Sequence, residues 1–370
     1  MRYYLIAGEA SGDLHGSNLL KGLKAEDPDA VFRFRGGGLM AEAAGTPPVV
    51  HYREGAVMGL AEVLAKAGQL SRSLRDCKND IAAWKPDVVI LIDYPGFNMR
   101  VAKFCHEAGI RVFWYIAPKT WASRAGRNRK LKAYVDKLFV VFPFEVPYFK
   151  EAGIPFIYKG NPLLDAIDAH VWQKPCEEQY IALLPGSRKS EISHMLPVCI
   201  KALEKTDMKV LIAGAPSRTP SDYEPYIRGK RNVQLMFGRT YDILKYARCA
   251  IVNSGTASLE AAVIGTPQVV CWNSSRLTYL AMKYIGQVEK HIKYISLGNL
   301  CLDKLAFKEL IQDEFTPEAL YDELRLLCTD EKYRAAMKDD YALIRHSLGE
   351  GGASAAIAKS MIEEIQNPTI

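Results

Sequence analysis

No stretch of the sequence approaches the roughly 20 consecutive apolar residues that a membrane-crossing helix needs, and the apolar run after Met1 breaks at Gly8, Glu9 and Asp13. Neither a membrane span nor a signal peptide is therefore expected. Metal chemistry finds little to work with. The eight cysteines (Cys77, Cys105, Cys176, Cys199, Cys249, Cys271, Cys301 and Cys328) are scattered, with no Cys-x-x-Cys pair and no histidine at ligand spacing. That usage points to reduced thiols in a cytoplasmic setting. Repeats and low-complexity tracts are missing. Acidic residues are absent between Gly109 and Val135, where Arg111, Lys119, Arg124, Arg127, Arg129, Lys130 and Lys132 gather into one basic strip. The net charge of +6 is too mild to imply nucleic acid but allows anionic substrates or an anionic membrane face. The strip also lacks the interleaved aromatics of a single-strand platform, and no helix-turn-helix or zinc module accompanies it.

What is present is the balance of a globular protein, 49% hydrophobic and 24% charged, in a chain of 370 residues that exceeds the size of one hydrophobic core. Short β-branched or aromatic runs recur, each followed by a turn and a helical pattern, as in the βα units of a parallel sheet. In the first half strands are expected at 3–7, 31–35, 88–92, 111–115, 137–141 and 156–159, with helices at 14–24, 99–108 and 145–151. After Asn161 and Pro162 the pattern relaxes and restarts at 180–184, followed by strands near 210–213, 233–236, 250–252 and 268–272. Three helices, around 317–328, 331–346 and 353–366, close the chain. The expected fold is α/β: two Rossmann-like parallel-sheet domains, 1–165 and 166–345, facing across a cleft, with 346–370 packing back on the first. Ligands of such sheets sit outside the carboxyl ends of the strands.

Chemistry is sought at those ends. Strand 3–7 runs into Gly8-Glu9-Ala10-Ser11-Gly12-Asp13, a turn of small residues at a helix start. It is neither a Gly-x-Gly-x-x-Gly fingerprint nor a P-loop, and a tight turn capped by Asp13 explains it equally well. Strand 88–92 ends at Asp93, then Tyr94-Pro95-Gly96-Phe97-Asn98. A carboxylate at the mouth of so apolar a strand suits general-base work, although a turn aspartate is the plainer explanation. In the second half, strand 180–184 leads to Pro185-Gly186-Ser187-Arg188 and a helix with Glu191 in its first turn. Strand 250–252 leads to Asn253-Ser254-Gly255-Thr256-Ala257 and a helix with Glu260. Two anion-ready helix starts plus a forked cation favour a nucleotide diphosphate over mere caps. His15, near the first turn, is a reserve base. Asp27-Pro28-Asp29 reads as a loop turn rather than a metal site.

At these residues the sequence resembles the lipid-A-disaccharide synthase family of inverting sugar-nucleotide glycosyltransferases, of the two-Rossmann-domain GT-B type. The resemblance runs nearly end to end through AGEASGD (7–13), VMGLAEVL (57–64), IDYPGFN (92–98), YIAPKTWASR (115–124), FPFE (142–145), LPGSRKSE (184–191), SGTASLE (254–260) and FKELIQ (307–312). The sequence departs from the family at Gly96, Asn161, Ser123, Gly298 and 308–310, which bears on acceptor and acyl-chain details more than on the reaction.

The resemblance implies transfer of 2,3-diacylglucosamine from UDP-2,3-diacylglucosamine to the 6-hydroxyl of 2,3-diacylglucosamine 1-phosphate (lipid X), with Asp93 as base and no cofactor or metal. It implies a donor side of Gly186, Ser187, Arg188, Glu191, Ser254, Gly255, Thr256, Ala257, Glu260, Asn299, Glu309 and Gln312, with Glu260 on the ribose. The acceptor side would comprise Gly8, Glu9, Ser11, Gly12, Asp13, Met58, Asn98 and Trp121. Both substrates carry acyl chains, so a cytoplasmic protein peripherally bound to the anionic inner-membrane face is expected, through the apolar positions of 56–67, the basic strip, or both. A core helix with a solvated charge run is the competing account of those two stretches, and a homo-oligomer stays open. The alternatives are another GT-B enzyme acting on UDP-N-acetylglucosamine, a transferase or an epimerase, and a non-enzymatic membrane-surface or nucleic-acid-binding protein.

Overall fold

The computed structural model describes residues 1–55, 62–122, 125–274 and 293–367. The chain forms two compact units, Met1–Asp165 with Gly349–Ile370, and Ala166–Leu348.

The first unit is built on a parallel sheet of seven strands: β1 (Arg2–Ala7), β2 (Val31–Gly36), β3 (Val50–His51), β4 (Val88–Ile92), β5 (Arg111–Tyr115), β6 (Lys137–Val140) and β7 (Phe156–Tyr158), in the order β3-β2-β1-β4-β5-β6-β7. The central strands are apolar on both faces, as a sheet covered by helices requires. Every residue of β4 is buried, and Tyr3, Tyr4, Trp114 and Tyr115 are fully enclosed. The phenols of the first two tyrosines escape the cost of burial by donating to Asp27 and Asp80 at 3.0 and 2.8 Å. The last helix, Ala353–Gln366, belongs to this unit and lies against helix Ala10–Glu26. At Gly22 the two come so close that a Cβ would stand 2.8 Å from that of Ala358. Its first amides, on Gly352, Ala353 and Ser354, donate to the carboxylate of Asp165. Arg111 donates to the carbonyls of Glu364 and Ile365 at its other end.

The second unit repeats the logic with six parallel strands: β8 (Tyr180–Leu184), β9 (Lys209–Gly214), β10 (Val233–Phe237), β11 (Cys249–Asn253), β12 (Gln268–Trp272) and β13 (Glu309–Ile311), in the order β10-β9-β8-β11-β12-β13. In both sheets the winding reverses once. The reversal lies between β1 and β4 in the first, paired from Tyr3↔Val88 to Ala7↔Ile92, and between β8 and β11 in the second, paired from Cys249↔Ile181 to Val252↔Leu184. At such a switch point the connections leave in opposite directions and open a crevice at the carboxyl ends of the two strands.

Candidate active site

Each switch point is flanked by two of the sequence motifs. In the first unit β1 delivers Gly8–Asp13 and β4 delivers Asp93–Asn98. Here the backbone is strained: Asp93 and Tyr94 have φ of 45° and 50°, and Ile116, just past the neighbouring β5, has φ of 61°. Non-glycine residues in this region cost on the order of 1–3 kcal/mol each, so other contacts must hold them. The Asp93 amide continues the ladder to the Tyr115 carbonyl at 3.1 Å. Asn98, fully buried, donates from Nδ2 to the carbonyls of Asp93 (2.8 Å) and Ile92 (3.3 Å). The Tyr94 ring lies on Gly8, where a Cβ would stand 2.3 Å from it, so only glycine fits beneath. The result is a half-buried carboxylate held at the end of an apolar strand.

The expected acceptor-side residues take the following places in the structure. Asp13 is buried, and its carboxylate accepts the amides of Gly37 (2.7 Å), Leu39 (3.1 Å) and Met40 (3.1 Å), so it caps helix Gly38–Ala44 rather than facing a ligand. Asn98 shapes the Asp93 turn from inside the core and touches no solvent. Gly12 lies inside helix Ala10–Glu26, where a Cβ on it would stand 3.2 Å from that of Ala7. Glu9 is exposed and accepts the Ser11 hydroxyl at 2.9 Å. His15 is buried, and desolvation pushes its imidazole down to about 4, so the reserve base is enclosed in the core and weak. Met58 lies outside the described residues, as do Val57, Leu60 and Arg124. Of the basic strip, Lys119, Arg129, Lys130 and Lys132 are exposed, whereas Arg111 is engaged with the last helix.

Trp121 is half-exposed, and its indole N–H donates to Glu145 at 3.2 Å. Glu145 was not anticipated as a site residue. It is almost fully buried, accepts the amides of Val141 and Phe142, and is pushed up to about 7 because burial outweighs those three donors. Its sequence signal was the FPFE run itself, a carboxylate set among aromatics. Phe144 meets the Trp121 ring edge-on at 4.8 Å and stacks on Phe142 at 5.2 Å.

In the second unit β8 delivers Gly186–Arg188 and β11 delivers Ser254–Ala257. Gly186 has φ of 105°, and a Cβ on it would strike both Glu191 (2.5 Å) and Asn253 (2.6 Å), so the two arms of the crevice approach across this glycine. The amides of Ser187 and Arg188 are already engaged within the chain. Both donate to Glu191, at 2.9 and 3.1 Å, and the Arg188 guanidinium adds a 2.9 Å bond to the same carboxylate. Helix Lys189–Leu203 thus carries its own anion. Helix Thr256–Ile264 has no side-chain cap, which leaves its start as the more receptive of the two. One turn in, burial pushes Glu260 up to about 7. The Tyr241 phenol, raised by burial and next by the Glu260 charge, is buried without a partner.

Asn299 and Glu309 are tied into the unit by internal hydrogen bonds. Asn299 is fully buried, accepts the amides of Ala306 and Phe307 and donates to the Phe307 carbonyl and to Glu309. Glu309 accepts the amides of Ile295 and Ser296, and the Ile295 carbonyl accepts the Ser254 hydroxyl at 3.1 Å. This chain of bonds buttresses the Ser254 turn from behind. Gln312 pairs with both backbone groups of Ser274. Among the described residues no group of three His, Cys, Asp or Glu side chains could hold a metal ion.

The family model for lipid-A-disaccharide synthetase matches residues 3–362. The chain is 36% identical over 376 residues to the lipid-A-disaccharide synthase of Geobacter metallireducens, covering 98% of this chain and 97% of that one. It is 34% identical over 380 residues to that of Trichlorobacter lovleyi, covering 98% of each. Solved structures with the same fold include a UDP-GlcNAc 2-epimerase from Neisseria meningitidis bound to UDP-GlcNAc, at TM-score 0.69, 13% identity and coverage of 98% of this chain and 100% of that one. The calicheamicin glycosyltransferase CalG4 is another, at TM-score 0.57, 17% identity and full coverage of both chains.

Proposed function

The chain belongs to the lipid-A-disaccharide synthetase family, and from that premise we propose that it transfers 2,3-diacylglucosamine from its UDP ester to the 6-hydroxyl of 2,3-diacylglucosamine 1-phosphate, with release of UDP. Membership makes it a glycosyltransferase of lipid A disaccharide synthesis, acting on a UDP-sugar and a glycosyl acceptor. The epimerase alternative is not favoured, because the epimerases share the fold at 13% identity whereas the synthases match nearly end to end.

In this reading the acceptor hydroxyl is a poor nucleophile, and Asp93 takes its proton as it attacks the anomeric carbon from the face opposite UDP, inverting that centre. Charge then develops on the leaving diphosphate. The uncapped start of helix Thr256–Ile264 and the exposed fork of Arg188 stabilise it, with Arg188 exchanging Glu191 for phosphate oxygens. Glu260 accepts ribose hydroxyls. The observation that carries the assignment is the strained Asp93–Tyr94 turn, held by Asn98 over Gly8 at a sheet switch point. The lipid chains of both substrates bring the protein to an anionic membrane face, where the exposed Lys119, Arg129, Lys130 and Lys132 supply the attraction. Among the described residues no helix is long and apolar enough to cross a membrane.

Mixing the purified protein with UDP-2,3-diacylglucosamine and lipid X tests the proposal. A β(1→6)-linked disaccharide 1-phosphate with one UDP per bond is expected. No disaccharide, with turnover of unacylated UDP-N-acetylglucosamine instead, would return the epimerase or another transferase to the lead.

A further inference from the structure

In the second unit, away from the switch point, two thiols stand together. Cys249 opens β11, Cys328 lies in the last turn of helix Pro317–Thr329, and their sulfurs are 3.6 Å apart. Cys249 is fully buried, while Cys328 is half-exposed. The surroundings are basic. Arg248 donates from Nε to the Cys328 carbonyl at 3.0 Å and pairs with Glu331 at 2.8 Å; Arg334 pairs with the same Glu331 at 2.9 Å. The Met208 sulfur lies 3.8 Å from Cys328. The Cys249 S–H, then the Arg248 and Arg334 guanidinium groups, pull the Cys328 thiol below its ordinary range against burial. The contact with Cys328 and then burial hold Cys249 well above it. The less buried sulfur is thus the one favoured as thiolate, with a protonated thiol beside it.

We infer that Cys249 and Cys328 form a reversible dithiol–disulfide site for hydroperoxides, with Cys328 as the attacking sulfur and Cys249 as the resolving one. The Cys328 thiolate attacks the terminal peroxide oxygen, the O–O bond breaks, and a sulfenic acid forms as hydroxide or alkoxide leaves and takes a proton from solvent. The Cys249 sulfur then attacks the sulfenic sulfur, the S–O bond breaks, and the departing hydroxyl takes the Cys249 proton and leaves as water as the S–S bond closes. The two electrons lost by the thiols reduce the peroxide. Closure brings the sulfurs about 1.6 Å nearer, to the 2.05 Å of a disulfide. Cys328 lies in the last turn of its helix, where the backbone is least constrained. The inference concerns neither substrate and stands apart from the reaction proposed above.

Treating the purified full chain with hydrogen peroxide, alkylating the remaining thiols and mapping peptides without reductant tests it. A linked Cys249–Cys328 peptide is expected that dithiothreitol abolishes. In Cys249→Ser the reaction should stop at a Cys328 sulfenic acid captured by dimedone, and Cys249→Ala gives the same readout if the serine unsettles the core. Alkylation of Cys328 should rise at a lower pH than that of Cys176, a half-buried thiol of the same unit. The inference is overturned if no linked peptide forms at peroxide levels that oxidise Cys176. It is equally overturned if Cys328 passes to sulfinic acid with Cys249 present, or if its alkylation profile rises no earlier than that of Cys176.

Discussion

Replacing Gly8 by alanine puts a methyl group where the Tyr94 ring lies. The new Cβ would be 2.3, 2.5 and 2.6 Å from three ring carbons, about 1 Å inside the 3.5–4.0 Å at which carbon atoms ordinarily meet. The ring cannot retreat alone, since it stacks on Phe97 at 5.6 Å and its own backbone is held in the left-handed region beside Asp93. The displacement therefore passes into the Asp93 turn. A 1 Å misplacement of a reacting group costs on the order of 100-fold in rate, equivalent to about 2.7 kcal/mol of barrier. Steady-state kinetics with both lipid substrates should show kcat lowered by roughly 10- to 100-fold. UDP affinity by calorimetry should be unchanged, because the substitution lies in the first unit and the proposed UDP cradle in the second. Tyr94→Ala removes the obstruction, so in that background Gly8→Ala should have no further effect, and thermal unfolding confirms that all variants are folded. A kcat within twofold of the parent, or losses that simply add in the double variant, would refute the coupling of Gly8 to Asp93 through this ring.

Four further outcomes are expected. Asp93→Asn should remove most turnover while leaving UDP affinity nearly intact, as kinetics and calorimetry on the same preparation can check; near-normal rates would end its assignment as base. Arg188→Ala should weaken UDP binding, since the remaining helix start lacks a charge to meet the diphosphate. Glu145 is raised from 4.5 to about 7 in the folded state, so its contribution to stability is complete below pH 4.5 and is lost as pH climbs through 7, by roughly 3 kcal/mol. Urea unfolding at pH 5 and pH 8 should show that loss, and Glu145→Gln should flatten it. Charge reversal at Arg127, Arg129 and Lys130 should release the protein from anionic vesicles, and unchanged flotation with the lipid would remove the basic strip from the membrane account.

Much of the frame was legible along the chain. The central strands carry uninterrupted apolar runs that only a sheet covered on both faces accepts, which is why 88–92, 111–115, 180–184 and 268–272 coincide with β4, β5, β8 and β12. Two short strands leave no signal in the sequence. Val50–His51 and Glu309–Ile311 are too brief to show a period and exist because a neighbouring strand already offers an edge. Helix Glu62–Trp84 is absent from the expected elements, because the charged residues after Gln69 hide its apolar spacing.

Local order along the chain determined the fold class, the strand ends that carry chemistry and the family, since each depends on residues within a few positions of one another. Tertiary structure decided which motifs meet, because strand order, invisible to a local pattern, brings Gly8 under Tyr94 and Asn253 up to Gly186. It also decided which polar side chains remain for a ligand. Asp13, Asn98 and Asn299 are read from the sequence by type alone, whereas their buried amides and carboxylate satisfy nearby backbone groups, and packing alone determines how many of those there are.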